Sequence, residues 1–456
     1  MNIKLIFPRK PGDPGAMGVT VPYVLPHLAA ITPKEHKVEL VNLFREKLDL
    51  SGRPDLVGIS VMTPMAEEAY SIADECRRKG LKVVLGGHHA SALPFEAKDH
   101  ADAVVVGEAE ETWPKLLEEL SAGSLKEFYA AGPLYDAAHF SGRDVYHVPG
   151  RPSIHDLPMP RRDLLRSRYF FDSIVTTRGC PFQCKFCGTS WFYGGSVRHR
   201  PVEAVAEEVR RMGRFWLMAD DDIFGDARYR LELYEKLAGM KRFMRWHGAG
   251  SLSIASDPLG SDVLRLARKS GLEAVLMGIE STEADTLKKT GANLKMRQTD
   301  GLDLKKTAEE IRRIRSYGIM VLGFFVVGFD GDSRASFDKI LDFCDEACIA
   351  PIPFLFMPLP GSAMWDDYKG RLLPGVSWNK WDAVHALYEH GTMSPREREE
   401  RLYRLRRSAY TSGRILKRLK GLSLGTALNA LMMQAGLRKT FKADWKRLCA
   451  KDTTQS

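Results

Sequence analysis

The sequence predicts an α/β chain in three parts: a doubly wound, Rossmann-like parallel sheet, a partial (β/α)6 barrel of the TIM type, and a mostly helical C-terminal region. Three observations carry this. Short apolar runs alternate with helix-period segments through residues 1 to about 125, the pattern of strand and crossover helix in a parallel sheet. The alternation stops over residues 126–171, where Pro, Gly and His recur, and resumes from Asp172 to about Leu359 in six strand–helix units. Beyond about residue 366 the strand signals fade and Lys and Arg accumulate.

Composition bounds the class. A chain of 456 residues, 44% hydrophobic and 27% charged, suits a globular protein of two or three domains. No N-terminal run approaches the length of a membrane span. Residues 1–7 are too short for a signal peptide and read as a first strand, with Pro8-Arg9-Lys10 following, so residence in the cytoplasm is expected. The formal charge is +9, but residues 396–456 hold 16 Lys and Arg against 5 Asp and Glu, a local +11 that leaves the remainder near −2. Basicity therefore belongs to one region.

Taken in order, the first strands are expected at residues 3–7, 38–42, 56–61, 82–85 and 103–106, with a helix over 67–79. Ligands of such sheets bind beyond the carboxyl ends of the strands. The loops there are residues 8–22, Ser60-Val61-Met62-Thr63-Pro64-Met65, Gly86-Gly87-His88-His89-Ala90-Ser91, and Val106-Gly107-Glu108-Ala109-Glu110. The sheet is expected to occupy residues 1–130 and an extended linker 131–171. Barrel strands are expected at 172–177, 215–219, 246–251, 274–279, 320–327 and 354–358, within a unit spanning 172–362. Chemistry in such barrels also collects at carboxyl strand ends. Residues 363–456 form the basic helical part, with Trp378, Trp381, Tyr388 and Tyr403 expected to close the barrel mouth.

The densest chemistry follows the first barrel strand: Thr176-Thr177-Arg178-Gly179-Cys180-Pro181-Phe182-Gln183-Cys184-Lys185-Phe186-Cys187-Gly188. Three of seven cysteines stand here, while Cys76, Cys344, Cys348 and Cys449 are scattered. Thiolates are the usual ligands of iron–sulfur clusters. Structural zinc wants four protein ligands, and only His199 is near. Disulfides belong to oxidising compartments.

The C-x3-C-x2-C loop, with Phe186 before and Gly188 after its third cysteine, resembles that of the radical SAM enzymes. The resemblance implies a [4Fe–4S] cluster on Cys180, Cys184 and Cys187 whose open iron binds the amino and carboxylate groups of S-adenosyl-L-methionine. It also implies reductive cleavage to a 5′-deoxyadenosyl radical and an external flavodoxin- or ferredoxin-type electron donor. Later strand ends are similar to that family in order. Asp220-Asp221-Asp222 ends the second strand, and the resemblance places Asp220 and Asp221 beside the methionine amino group. Three adjacent carboxylates would repel if all were buried, so at least one is expected to face water or a cation. Glu280-Ser281 resembles the ribose-contacting segment, and a carboxylate accepts well from vicinal hydroxyls. Gly323 and Gly328 resemble the adenine-side glycine motif, and Met357-Pro358-Leu359-Pro360-Gly361 the end of the sixth strand. His247, Ser251, Arg178, Arg198 and Trp191-Phe192-Tyr193 are expected either to face the cavity or to pack as ordinary structural side chains.

The N-terminal loops resemble the cobalamin-binding domain that precedes many radical SAM domains, which implies cobalamin contacts from Ser60, Thr63, Gly86, Gly87, His88, Gly107 and Glu108. The Asp-x-His-x-x-Gly motif that elsewhere supplies a histidine to cobalt is absent. A sheet that binds nothing is the alternative, and no G-x-G-x-x-G opens a helix to support a dinucleotide. Together the likenesses imply a cobalamin-dependent, class B radical SAM methyltransferase that takes hydrogen from an unactivated carbon and adds a methyl group from methylcobalamin. Cyclisation or ring rearrangement, for instance on a tetrapyrrole, shares these motifs. A non-catalytic redox or cobalamin carrier is disfavoured because electron-transfer clusters usually carry four cysteines.

In the tail, residues 421–433 are apolar and lie between Lys417-Arg418-Leu419-Lys420 and Arg438-Lys439. The stretch is too short and polar to span a bilayer. An apolar segment between basic clusters suits an anionic membrane surface; a core helix with a solvated basic face is the alternative. A hydrophobic or lipid-like substrate is expected. No RNA-binding signature accompanies the basic residues, so nucleic acid is not expected.

Overall fold

A computed structural model describes residues 1–10, 16–130, 151–295 and 301–452. The first sheet contains β1 (Asn2–Phe7), β2 (Lys37–Asn42), β3 (Leu56–Ser60), β4 (Lys82–Gly86), β5 (Ala103–Val106) and β6 (Phe128–Ala130). They run parallel in the order β2-β1-β3-β4-β5-β6. Both faces are covered, which is why the strands read as unbroken apolar runs. Ile6, Val57 and Ile59 pack with the helix Ala66–Arg78 on one face. Ile3, Leu5, Phe7 and Val105 pack with Trp113 and the helix Val24–Ile31 on the other. From β1 the chain goes first to one side and then to the other, so a cleft opens at the carboxyl ends of β1 and β3.

Part of the loop at 8–22 and residues 131–150 of the linker at 131–171 lie outside the described residues. The strand β6 falls in the stretch that reads as irregular, because three residues are too few to show a period. The later linker is not free chain: Arg162 pairs with Asp172 at 2.8 Å and with the buried Glu208 at 2.6 Å.

The second sheet orders β14 (Ala350–Leu355), β13 (Met320–Val327), β12 (Leu272–Glu280), β11 (Arg245–Ser251), β10 (Phe215–Met218) and β7 (Asp172–Ile174) side by side, all parallel. The expected first barrel strand breaks after Ile174. Its remainder forms β8 (Thr177–Arg178), an antiparallel clip with β9 (Arg198–His199). Alternate residues separate two faces. Val275, Met277, Val321 and Phe325 meet the outer helices, such as Arg334–Ala347. Ala274, Leu276, Leu322 and Phe324 face the barrel interior.

The sixth barrel strand lies at 350–355, earlier than the expected 354–358. Pro351 and Pro353 hide it, because proline removes a ladder donor and reads against a strand. It survives as an edge strand whose carbonyls are used by the tail. The Tyr410 hydroxyl donates to the Pro351 oxygen at 2.8 Å, and the Arg406 guanidinium to the Pro353 oxygen at 2.8 and 3.1 Å.

The C-terminal helices Pro395–Ala409, Ser412–Leu419 and Leu424–Asp452 fill the barrel's inner face: Ala409, Tyr410, Ile415, Ala430 and Phe441 pack on Leu322, Ile352 and Ala350. Arg398, Arg406 and Arg418 on these helices are buried and donate to backbone carbonyls, so part of the tail's basicity is internal. Trp378 and Trp381 stand where the two sheets meet. Trp378 lies 4.8 Å from His89, and Trp381 donates to the Pro358 carbonyl at 2.9 Å. Tyr388 is instead packed among Phe356 and Tyr368.

Candidate active site

The cysteine loop leaves β8 through Gly179, whose φ of +95° and missing Cβ are both required: a Cβ would lie 2.1 Å from the Ser196 carbonyl oxygen. Its N–H donates to Asp221 at 2.9 Å. Further along, the Lys185 N–H donates to the Thr290 carbonyl at 2.9 Å, and the Met364 N–H to the Lys185 carbonyl at 3.2 Å. Cys184 is buried, Cys180 and Cys187 are half-buried, and all three are free thiols. Burial, and next the Asp222 charge, pushes the Cys180 thiol up to about 12. Burial pushes Cys184 up to about 12 as well; Cys187 adds to both shifts and Lys295 opposes them. The Cys180 and Cys184 sulfurs thus hold their protons until a cation draws them off. Among the described residues no three His, Cys, Asp or Glu side chains converge on a single ion. An iron–sulfur cube takes each thiolate at a different iron, so a looser triad of soft donors fits it.

The three adjacent aspartates have different fates. Asp220 is buried and fully used: it accepts from the Thr176 N–H at 2.6 Å, the Thr177 hydroxyl at 3.0 Å and Arg230 at 2.8 Å. Asp221 accepts from Gly179 and from the Thr189 hydroxyl at 3.0 Å, and burial pushes it up to about 6. Asp222 accepts from the Phe224 N–H at 2.9 Å and the Ser251 N–H at 3.1 Å through Oδ1, while Oδ2 is buried with no partner among the described residues. An unsatisfied buried carboxylate oxygen beside Cys180 fits a ligand's ammonium group. The sequence signal for Asp222 was the acidic run itself, which does not say which member is left over.

At the end of β12 the register with β13 shifts between Gly278 and Glu280. Glu280 takes a left-handed φ of +70° and pairs with Lys295 at 2.8 Å. A Cβ on Gly278 would meet Lys295 Nζ and Glu280 Oε1, so the lysine lies across the strand end. No motif marks Lys295. Ser281 is buried, its hydroxyl accepting from the Glu283 N–H at 3.0 Å. A Cβ on Gly323 would point at Phe325, Ile349 and Ile279 on the helix-covered side, so only its backbone is offered to the interior. Gly328 donates to Asp332 at 2.8 Å at the strand end. Phe186 packs 5.9 Å from Phe329, and Gly188 opens the helix Gly188–Tyr193. His247 lies away from the mouth, 3.4 Å from Asn429 of the tail.

A cavity of about 410 Å3 lies in the cleft of the first sheet. Ser60, Gly86, Gly87, His88, Gly107 and Glu108 all line it. Thr63 does not; it is buried against His89 at 3.3 Å. Gly87, at φ +96°, passes so close to Val61 that a Cβ would lie 2.9 Å from its carbonyl oxygen. His88 lies tilted against Phe192, ring centroids 4.0 Å apart, and burial holds it down at about 4, hence neutral. Leu5, Phe7, Val105 and Trp113, which carry no motif, supply apolar wall. The Tyr23 hydroxyl and His27 Nδ1 are buried without a hydrogen-bond partner among the described residues, so the cavity offers polar atoms to a ligand as well as space.

The barrel contributes Arg178, Phe192 and Tyr193 to the same cavity. Arg178, two residues before Cys180, pairs with Glu108 and Glu110, each at 2.6 Å; Arg198 pairs with Glu108 at 2.8 Å, and His27 with Glu110 at 2.7 Å. Glu108 is therefore engaged in a charged seam between the two sheets.

Residues 174–344 match the Radical SAM superfamily and residues 27–117 the B12 binding domain. Over 384 residues the chain is 30% identical to bacteriochlorophyllide d C-12(1)-methyltransferase of Chlorobaculum tepidum, covering 82% of this chain and 78% of that one. The chain belongs to the B12-binding radical SAM family. This radical SAM enzyme is also 29% identical over 383 residues to hopanoid C-3 methylase of Methylococcus capsulatus, covering 77% of this chain and 69% of that one. Its fold is similar to that of the radical S-adenosylmethionine methyltransferase TsrM from Kitasatospora setae, with a TM-score of 0.66 and 17% identity over 93% of this chain and 89% of that one. It is also similar to OxsB, with a TM-score of 0.59 and 16% identity; there the match covers 80% of this chain but 55% of the other. Family membership brings a [4Fe–4S] cluster, S-adenosyl-L-methionine and cobalamin as cofactors. No helix of the described residues is long and apolar enough to cross a membrane.

Proposed function

We propose that this enzyme methylates an unactivated carbon of a hydrophobic small molecule. The observation that carries the reading is the shared wall: Arg178, Phe192 and Tyr193, flanking the cysteine loop, line the cavity of the B12-binding sheet. Methyl donor and substrate must meet within a few ångströms, and one wall built by both parts holds them in register. When bound, the cofactors supply a 5′-deoxyadenosyl radical for hydrogen abstraction and a methyl group for transfer.

The chain's own residues do the positioning. Cys180, Cys184 and Cys187 hold the cluster. Asp222, supported by Asp221, receives the methionine amino group, and Glu280 with Ser281 the ribose hydroxyls. Ser60, Gly86, Gly87, His88 and Gly107 cradle the cobalamin, while Glu108 and Arg178 fix the two units against each other. We assign residues 1–130 to the cobalamin unit, 131–171 to the linker, 172–362 to the barrel and 363–456 to the helical cap. Relatives named for bacteriochlorophyllide and hopanoid methylation point to a large apolar substrate. An external flavodoxin- or ferredoxin-type donor supplies electrons, and the C-terminal region makes peripheral contact with a membrane.

Anaerobic turnover with bacteriochlorophyllide or hopanoid probes is expected to yield 5′-deoxyadenosine and S-adenosylhomocysteine together. The first product without the second would overturn methyl transfer. Replacing all three loop cysteines by alanine is expected to abolish bound iron and sulfide.

A further inference from the structure

The last long helix, Leu424–Asp452, has two unlike faces. Thr426, Ala430, Gln434 and Phe441 are buried on the side that covers the barrel interior. On the opposite side Leu424 is 89% exposed, Leu428 58%, Leu431 39% and Met432 60%, and on the preceding helix Leu416 is 61% exposed. The spacing places the four residues of the long helix on one stripe. Large apolar side chains standing together in water mark a contact surface.

The same stripe continues into Lys439 and Lys442, and Lys417 and Lys420 flank it beside Leu416; all four lysines are exposed. Lys420, Lys439 and Lys442 make no ion pair with described residues. Apolar side chains framed by solvated lysines complement a bilayer surface: the former enter the acyl boundary while the latter meet anionic headgroups. An acidic protein surface would match the lysines but leave the leucines in water.

The helix starts at the far end of the barrel. Gly425 lies against Arg245, the first residue of β11, and Asn429 donates to Glu273 near the start of β12. The cysteine loop sits at the carboxyl end of the sheet.

We propose that Leu416, Leu424, Leu428, Leu431 and Met432, framed by these lysines, form a docking face for an anionic lipid surface. The face is an anchor at the closed end of the barrel and does not feed substrate to the mouth. This rests on the membrane contact proposed above and names the residues that make it.

The test is co-sedimentation of the full-length, anaerobically reconstituted enzyme with vesicles of phosphatidylcholine alone or mixed with phosphatidylglycerol. Binding at least ten-fold stronger to the mixed vesicles is expected. The variant Leu424→Ser/Leu428→Ser/Met432→Ser, and separately Lys420→Glu/Lys439→Glu/Lys442→Glu, should each lose at least ten-fold. Both should retain wild-type iron content, thermal midpoint and turnover of a detergent-dispersed probe. No binding of the wild-type enzyme to any vesicle would overturn membrane contact itself. Undiminished binding by both variants would overturn only this face as its site. A wild-type dimer that the serine variant converts to monomer, without vesicle binding, would assign the face to a second copy of the chain and overturn the proposal.

Discussion

A side chain at position 179 has nowhere to go, since backbone conformation and the Ser196 oxygen both exclude it. Gly179→Ala is therefore expected to cost about 1–3 kcal/mol by denaturant titration and to lower iron per chain after reconstitution, because the turn that presents Cys180 is lost. Asp382 offers a pH test that does not involve the cysteines. Burial pushes its carboxyl up, but His385 and then Lys10, at 2.9 and 2.6 Å, outweigh this and hold it down at about 2, against an ordinary 3.8. The folded state then binds fewer protons than the unfolded one, so the contribution is full above the ordinary value and is lost as pH falls through about 2. Asp382→Asn is expected to lower stability by about 2 kcal/mol at neutral pH, with the gap to wild type closing on acidification. Residues of this kind differ in how they read from sequence. The cysteines were legible because a cluster needs sulfur at fixed spacing. Asp222 and Lys295 were not, because their availability depends on which neighbours happen to satisfy the groups around them.

At the scale of elements, the seam around Arg178 joins β8 to the loop after β5. Arg178→Met leaves Glu108 and Glu110 with one fewer positive partner in a buried setting. A loss of about 3–5 kcal/mol is expected, together with weaker cobalamin retention read from the corrinoid absorbance. Arg178→Lys should recover part of both. Tyr410→Phe removes the donor to the Pro351 carbonyl and is expected to cost about 1 kcal/mol. Most strands were legible as apolar runs, since each is covered on both sides. The exceptions each have a cause: β6 is too short to show a period, β14 is disguised by two prolines, and the first barrel strand is split where the chain turns into its clip. At Gly323 the motif gives the residue but not its direction, because alternation along β13 turns the missing Cβ toward the helices.

For the molecule as a whole, the order of three parts could be read from the sequence, but the way the third completes the second could not. The tail's arginines looked solvated, yet Arg398, Arg406 and Arg418 are buried, and its apolar residues divide between an inner and an outer face. Truncation at residue 396 would uncover Leu322, Ile352 and Phe354. Such a chain is expected to aggregate on expression, which light scattering would report, whereas serine substitutions on the outer face should leave the thermal midpoint unchanged. Chains emerge from the ribosome N-terminus first and fold in that order. For this protein the barrel's interior is finished only when the helices that follow residue 394 have been made and can pack into it. Until then a nascent chain carries its cysteine loop ahead of the residues that cover Leu322, Ile352 and Phe354.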